Sequence, residues 1–307
     1  RAPADGHLHP DPVDPDSHDR RRLDGLELAH GPTLSPRVRR PSTPGTVARG
    51  RFRRQSAVRM TVAESPGTQG AVRLDELPWT EVASHLRGDA RLLLPIGSTL
   101  QHGPHLPLST DSIVVTRLAD ALSSRHGVLV APTLPYGVVS RVEQEYAGTA
   151  SIGRKTLHRG LNDLVGVWET QGVDEFILLT AHGYGPHIAA MATVVSERSR
   201  VRSVDIHSVD LGDYLEGRTG EQHAGELETS LMLHLAPDLV RREEIADAPL
   251  DPSHQGGRVV GEEPLPERGS PGVVGTPSLA TAEKGRRTFR YLVEFIGDRV
   301  LAGGEAS

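Results

Sequence analysis

Apolar residues recur at helical spacing in six stretches of the chain. The clearest stretch is residues 110–127, where Val114, Leu118 and Leu122 lie four positions apart and Gly127 follows them. This spacing predicts an amphipathic helix that buries one face. The same reasoning predicts helices at residues 74–88 (with Thr80 as N-cap), 153–172, 186–200, 224–240 and 280–301.

Short apolar runs between these helices predict four strands. They occupy residues 91–98, 128–137, 174–185 and 203–211, and most of them end in glycine or proline. Strands that alternate with helices are typical of βαβ units. The pattern therefore predicts an α/β fold: a single-domain α/β sandwich with a mainly parallel sheet flanked by helices.

The first part of the chain has a different character. Residues 1–59 hold 12 arginines against 7 acidic residues, are rich in proline and lack apolar periodicity. Such a segment buries too little apolar surface to offset its chain entropy. We expect residues 1–65 to be a disordered Arg/Pro-rich leader, with Met60 as the native start, and residues 66–307 to form the folded domain. The alternative is a basic arm for an acidic partner.

The amino-acid composition limits the kinds of functional site that the chain can form. The chain has no cysteine, so disulfides, thiolate ligands and cysteine nucleophiles are excluded. Any metal must rest on His, Asp or Glu, which favours zinc, manganese or iron. The net charge of −6 gives no indication of nucleic-acid binding, and no apolar run or signal sequence predicts a membrane or secretory protein. We expect a cytoplasmic protein with no nucleic-acid or membrane partner.

Histidines and carboxylates gather in three segments, at residues 101–111, 180–187 and 223–229, two of which follow predicted strands. Taken singly they have ordinary interpretations: loop histidines, an N-cap at Asp111, and helix-surface charges at Glu226 and Glu228. Together, two histidines and two carboxylates among glycines suit an open catalytic metal site. Such a site supplies hydroxide from bound water, and His223 is the candidate proton shuttle for amide hydrolysis.

These segments resemble the creatininase family of metal-dependent amidohydrolases. The matching motifs are GSTLQHGPHLPLSTD, AHGYGPH and HAGELETS, supported by LPYG, YAGTASIG and PGVVGTPSLATAEKGR. Within the family, the sequence looks closest to the mycofactocin-type creatininase peptidases, which trim a precursor peptide. The resemblance covers about residues 72–300.

The resemblance implies a creatininase-like α/β sandwich, a homo-oligomer (usually a hexamer), and two divalent ions bridged by an aspartate. Carried over by position, Asp111 matches the bridging ligand. His102 and Glu228 match ligands of one ion, and His182 matches a ligand of the other. His223 matches the histidine that handles protons.

The departures from the family pattern fall on the same site. Leu100 stands where the family has a ligand glutamate, and Gly185 replaces an asparagine. One ion keeps three ligands, while the other keeps only Asp111 and His182, fewer than the three usual at a catalytic zinc site. We therefore expect one divalent metal per chain. Tyr184, His187 and Glu226 are candidate additional ligands. A Glu-His pair of the family appears here as Glu143-Gln144, with an alignment uncertain by one residue.

Three functions follow from these observations. The first is a metal-dependent hydrolase acting on a C–N bond of a cyclic amide or short peptide. The second is a creatininase-fold enzyme adapted to a non-hydrolytic step, such as cyclisation or dehydration. The third is a non-catalytic relative. The five retained site residues favour an enzyme, and the sequence does not name its small-molecule or peptide substrate.

Overall fold

The four strands form one parallel sheet in the computed structural model, which describes residues 70–217, 222–248 and 271–302. The strands are β1 (Arg91–Ile96), β2 (Leu129–Val130), β3 (Glu175–Thr180) and β4 (Arg200–Asp205), in the order β2-β1-β3-β4. All three pairings are parallel. The predicted α/β fold with a parallel sheet is confirmed. The predicted leader and the start at Met60 lie outside the described residues.

Six α-helices accompany the sheet. They are α1 (Trp79–Leu86), α2 (Thr110–His126), α3 (Arg154–Thr170), α4 (Gly185–Ala192), α5 (Glu226–Leu235) and α6 (Ala282–Ile296). Each corresponds to a predicted helix, although α1 begins at Trp79 with Pro78 as N-cap rather than with Thr80. In the part of the chain that the structure describes, no helix has the length and apolar character needed to cross a membrane.

Two predicted strands differ most from the observed ones, while β1 and β3 end two and five residues before their predicted bounds. The second is only two residues long, because Pro132 and Pro135 lack the backbone donor that a strand needs. The fourth begins three residues early and ends at Asp205, whose side chain accepts a hydrogen bond from the His207 amide and turns the chain. Residues that favour turns therefore set the length of the second strand and the end of the fourth.

The sheet buries both faces. Alternate residues of each strand point to opposite sides, and they divide the core into two clusters. Leu93, Ile177 and Leu179 face a cluster that includes Leu118 of α2, Leu231 of α5 and Leu292 of α6. Leu92, Leu94, Phe176 and Leu178 face the other, which includes Leu161 of α3 and Met191 of α4. This explains the nearly continuous apolar runs of β1 and β3.

Helices α5 and α6 approach each other at a glycine. A Cβ atom added to Gly285 would lie 1.8 Å from the backbone oxygen of Ser230, so any side chain would push the helices apart. Because α5 carries candidate site residues in its first turn, this close approach also fixes where that turn lies.

We expect Gly285→Ala to lower the free energy of unfolding by about 3 kcal/mol, because the backbone of α5 cannot move away cheaply. The control is Gly160→Ala in α3, where nothing lies within 4 Å of the added methyl group. That change should stabilise the protein by up to about 1 kcal/mol. Chemical denaturation measures both, and equal stabilities of the two variants would contradict the close approach.

Candidate metal centre

The site lies at the carboxyl ends of β1 and β3. These strands are neighbours, paired up to Ile96 and Thr180, so the segments that leave them emerge side by side. His102 lies in the segment after β1, and His182 follows β3 by two residues. Asp111 occupies the first turn of α2. The fold thus brings together side chains 80 residues apart in sequence.

Asp111 lies between two histidines. Its Oδ1 is 3.0 Å from Nε2 of His102, and its Oδ2 is 3.2 Å from Nδ1 of His182. Ser98 donates its hydroxyl hydrogen to Oδ2. The carboxylate is 1% exposed and makes no capping bond, since the N-cap of α2 is Ser109. The structure therefore does not support the N-cap interpretation of Asp111.

Glu228 contributes a second carboxylate from α5. Its Oε1 lies 3.7 Å from Nε2 of His102, and its Oε2 accepts a hydrogen bond from the Ala224 amide. Glu228 is buried, so it is not a helix-surface charge.

Both histidines that face Asp111 are anchored on backbone carbonyls. His102 Nδ1 lies 3.0 Å from the Leu100 oxygen, and His182 Nε2 lies 2.9 Å from the Val138 oxygen. A carbonyl can only accept, so each of these nitrogens carries the hydrogen. In a neutral ring the other nitrogen then presents a lone pair to the carboxylates. Two lone pairs repel unless a proton or a cation lies between them.

This arrangement shifts the pKa values of the histidines and of Glu228. Burial alone would lower the pKa of His102, but Asp111 and Glu228 more than offset it and raise that pKa well above its usual value. The pKa of His182 is raised in the same way, against burial, by Asp111. Burial would raise the pKa of Glu228, but His102 outweighs it and lowers the pKa to about 2.

These donors fit a divalent cation. Metal-bound histidines commonly donate their second N–H to a backbone carbonyl, as His102 and His182 do. Ligand atoms 2.0–2.2 Å from a shared ion lie about 3–3.5 Å apart, close to the spacings around Asp111. His102, His223 and Glu228 offer ligand atoms that all lie within 4.8 Å of one another.

His223 differs from the other two histidines. Its ring lies 4.5 Å from that of His102, and its Nε2 is 2.8 Å from the Gln101 carbonyl oxygen. Burial, followed by the nearby His102, lowers the pKa of His223. The ring is therefore neutral, with hydrogen on Nε2 and a lone pair on Nδ1. That is the state required of a proton acceptor.

The turn after His223 is strained. Ala224 has a φ of 53°, the one positive value of a non-glycine residue in the described ranges. Such a conformation costs an L-residue roughly 1–2 kcal/mol. Glu228 stabilises it by accepting the Ala224 amide hydrogen. Strain kept in place by a site residue is typical of functional turns.

Leu100 is 1% exposed, so its side chain is buried as a core residue would be. Its backbone oxygen anchors His102, as described above. Position 100 therefore still orients a histidine, although its side chain offers no ligand atom.

Two of the three additional candidates, His187 and Glu226, have their donor atoms committed to other partners. His187 is buried, with Nε2 3.1 Å from the Thr180 hydroxyl and Nδ1 accepting from the Val138 amide at 3.3 Å, so both nitrogens are occupied. Burial, followed by the nearby His182, lowers the pKa of His187 to about 3. It is neutral and supports the loop that anchors His182.

The other two candidates lie beside the site. Tyr184 has its ring centroid 6.2 Å from that of His182 and is half-buried. Glu226 accepts hydrogen bonds from the amides of Glu216 and Gly217 and pairs with Lys284. It therefore fixes a loop and α6 to the first turn of α5, and its carboxylate is committed there.

Two residues near the site were not predicted from the sequence. His207 has Nε2 3.0 Å from the Ala181 oxygen and 3.9 Å from Glu228. Glu143 has Oε1 3.4 Å from His223 Nε2. The segment that contains Glu143 was noted from the sequence. Because its alignment with the family was uncertain by one residue, the sequence did not show which side chain of the segment points into the site.

Comparison with known proteins decides the family. The creatininase family profile, described as creatinine amidohydrolase, matches residues 75–300. The chain belongs to the creatininase family. Members are hydrolases, and this chain is an enzyme of that hydrolytic family.

Relatives of this creatininase-family chain include a peptidase and solved amidohydrolases. It is 34% identical over 225 residues to the mycofactocin precursor peptide peptidase of Mycobacterium ulcerans, covering 68% of this chain and 84% of the relative. A crystal structure of creatinine amidohydrolase (creatininase) is similar with a TM-score of 0.64 and 26% identity, over 75% of this chain and 96% of that one. A mutant creatininase described as of Zn-Zn type gives 0.63 and 26%, over 75% and 97%. A divalent metal is thus described for a solved member of the family.

We expect zinc or manganese to raise the melting temperature of the metal-free protein. An ion present at 100 times its dissociation constant adds about 2.7 kcal/mol of stability, which corresponds to several degrees in a domain of this size. His102→Ala should abolish most of this rise. His85→Ala in α1 is the control and should leave it unchanged. A rise of equal size in the His102 variant, measured by differential scanning fluorimetry, would contradict the assignment.

Proposed function

We propose that this chain is a metal-dependent hydrolase that cleaves the C–N bond of a short peptide or cyclic amide, using one well-held divalent ion. The observation that carries the proposal is the convergence of His102 and His182 on Asp111. Each ring is anchored through its N–H to a backbone carbonyl and turns its bare nitrogen to the same carboxylate. Such contacts require a proton or a cation between each nitrogen and the carboxylate, and a divalent cation on the His102 side would meet that requirement there.

The ion would rest on His102, Asp111 and Glu228. Zinc, manganese or iron suits this mixed imidazole and carboxylate set. A second ion would have only Asp111 and His182, because Leu100 offers no oxygen. We therefore propose one ion per chain, in contrast to the Zn-Zn type described for a relative.

The bound ion would supply Lewis acidity and a water of lowered pKa. The protein supplies the rest of the chemistry. Nδ1 of His223 accepts the proton of the attacking water and returns it to the leaving nitrogen, because Nε2–H is already held by the Gln101 carbonyl. Burial of Asp111, Glu228 and His102 keeps solvent from weakening these interactions.

The names of the relatives support a choice between the two substrate classes. The Mycobacterium ulcerans relative is named a precursor peptide peptidase, and its identity to this chain exceeds that of the creatinine amidohydrolases. We therefore favour a peptide amide over a cyclic amide. From the family resemblance we also propose a cytoplasmic homo-oligomer, a hexamer.

Activity is tested with protein loaded separately with zinc, manganese or iron. The substrates are the mycofactocin precursor peptide, unrelated short peptides and creatinine, with products identified by mass spectrometry. We expect metal-dependent cleavage of a peptide amide, and a decrease in kcat of about 10²–10⁴-fold in His223→Ala with metal content retained. Cleavage that persists unchanged in His223→Ala would refute its proposed role.

Leu100→Glu tests the number of ions. The new carboxylate would give the second ion a third ligand beside Asp111 and His182, so bound metal should rise from about one to about two per chain. Leu100→Gln has nearly the same shape without the charge and should stay at about one. Metal analysis by mass spectrometry measures both, and equal metal contents would show that position 100 does not limit occupancy.

A further inference from the structure

Glu143 is a buried carboxylate that no step above uses. It begins a short 3-10 helix, Glu143–Glu145, in the segment between β2 and α3, and is 4% exposed. Among the described residues, no lysine or arginine lies within 4.0 Å of its oxygens. Its closest ionisable neighbour is His223, with Oε1 3.4 Å from Nε2. A buried carboxylate without a cationic partner is costly, so its position beside a histidine requires a reason.

Neutral groups hold the carboxylate in place. Ser140 donates its hydroxyl hydrogen to Oε2 at 3.2 Å, and the Gln101 side-chain amide donates to Oε1 at 3.5 Å. A glutamine has a single acceptor oxygen and could accept only one of these two bonds, so both donors favour a carboxylate at this position. The same carboxylate also faces His223.

Gln101 connects this carboxylate to the rest of the site. Its backbone oxygen accepts from His223 Nε2, and its side-chain amide donates also to the Gly272 oxygen at 3.0 Å. Its side-chain oxygen accepts from the Gly103 amide at 2.9 Å. Glu143 and Gln101 thus enclose the Nε2 edge of His223 from two separate segments.

We propose that Glu143 is a positioning residue for His223. The Nε2–H lies between two groups that can only accept, the Gln101 carbonyl and the Glu143 carboxylate, so the ring is held with Nδ1 bare and directed away from them. A carboxylate that orients a working imidazole through its other nitrogen is the arrangement of the catalytic triad. This inference rests on the proposed role of His223.

Glu143→Gln is the first test, because it keeps the shape and removes the charge. We expect kcat to fall about 10–100-fold while KM stays within about threefold, since Glu143 acts on His223 and not on the substrate. Bound metal and melting temperature should stay unchanged. Glu145→Gln in the same short helix is exposed and serves as control, with unchanged kinetics.

A second measurement does not depend on turnover. In metal-free protein labelled with ¹⁵N at histidine, the Nε2–H proton of His223 should resonate downfield and exchange slowly with solvent, because two acceptors hold it. In Glu143→Gln this signal should move upfield and exchange faster, while in Glu145→Gln it should match the wild type.

The outcomes distinguish the proposed hydrolase function from the proposed positioning role of Glu143. If the wild type cleaves no substrate with any metal, the proposed function fails, and the Nε2–H signal alone decides the contact of Glu143 with His223. An unchanged signal together with an unchanged kcat in Glu143→Gln would overturn the positioning role. A loss of kcat accompanied by lost metal or a lower melting temperature would also overturn it, since Glu143 would then be a structural residue.

Discussion

The Asp111 carboxylate, buried between two histidines, is the interaction on which the site depends. A charge removed from water must be compensated locally, and here the carboxylate lies between His102 and His182, so a proton or a cation at these contacts supplies the compensation. Neither ring can turn away, because each is anchored on a backbone carbonyl. The sheet makes this arrangement possible, since only adjacent parallel strands deliver both histidines to one carboxylate. Gly97 at the end of β1 allows the close approach, for a Cβ there would lie 2.6 Å from the Cα of Ser112 in α2.

Backbone anchoring explains how the site tolerates leucine at position 100. The Leu100 carbonyl holds His102 whatever side chain the residue carries. The leucine side chain offers no ligand atom, yet the orientation of His102 does not depend on it.

Much of this could be predicted from the sequence, and the remainder has definite physical causes. Helix and strand order follow from apolar spacing, and the motifs pointed to Asp111, His102 and Glu228, which the structure brings together. Apolar spacing alone did not show which of Glu226 and Glu228 faces the site, although the motif match favoured Glu228. Two residues apart on α5, they point in different directions, and only the packing of α5 on α6 decides which one meets Lys284.

Glu143 was missed for a related reason. A buried carboxylate in an irregular segment has no periodicity, and its partner His223 lies 80 residues further along the chain. No local rule connects two such positions. The sequence also did not show which ring nitrogen of each histidine carries the hydrogen, because that depends on which backbone carbonyl lies within hydrogen-bond distance.

The two histidines at the centre of the site are neighbours with opposite properties. Their rings lie 4.5 Å apart, yet Asp111 and Glu228 overcome burial to raise the pKa of His102, whereas burial and the nearby His102 lower the pKa of His223. Environments that separate the pKa values of adjacent groups assign them different tasks. His102 therefore faces two carboxylates, whereas His223 keeps a neutral ring beside it. The strained turn at Ala224 supports this division, because Glu228 accepts the Ala224 amide hydrogen while its other oxygen faces His102. Glu228 therefore faces His102 with one oxygen and fixes the turn after His223 with the other, so a single side chain couples the positions of the two histidines.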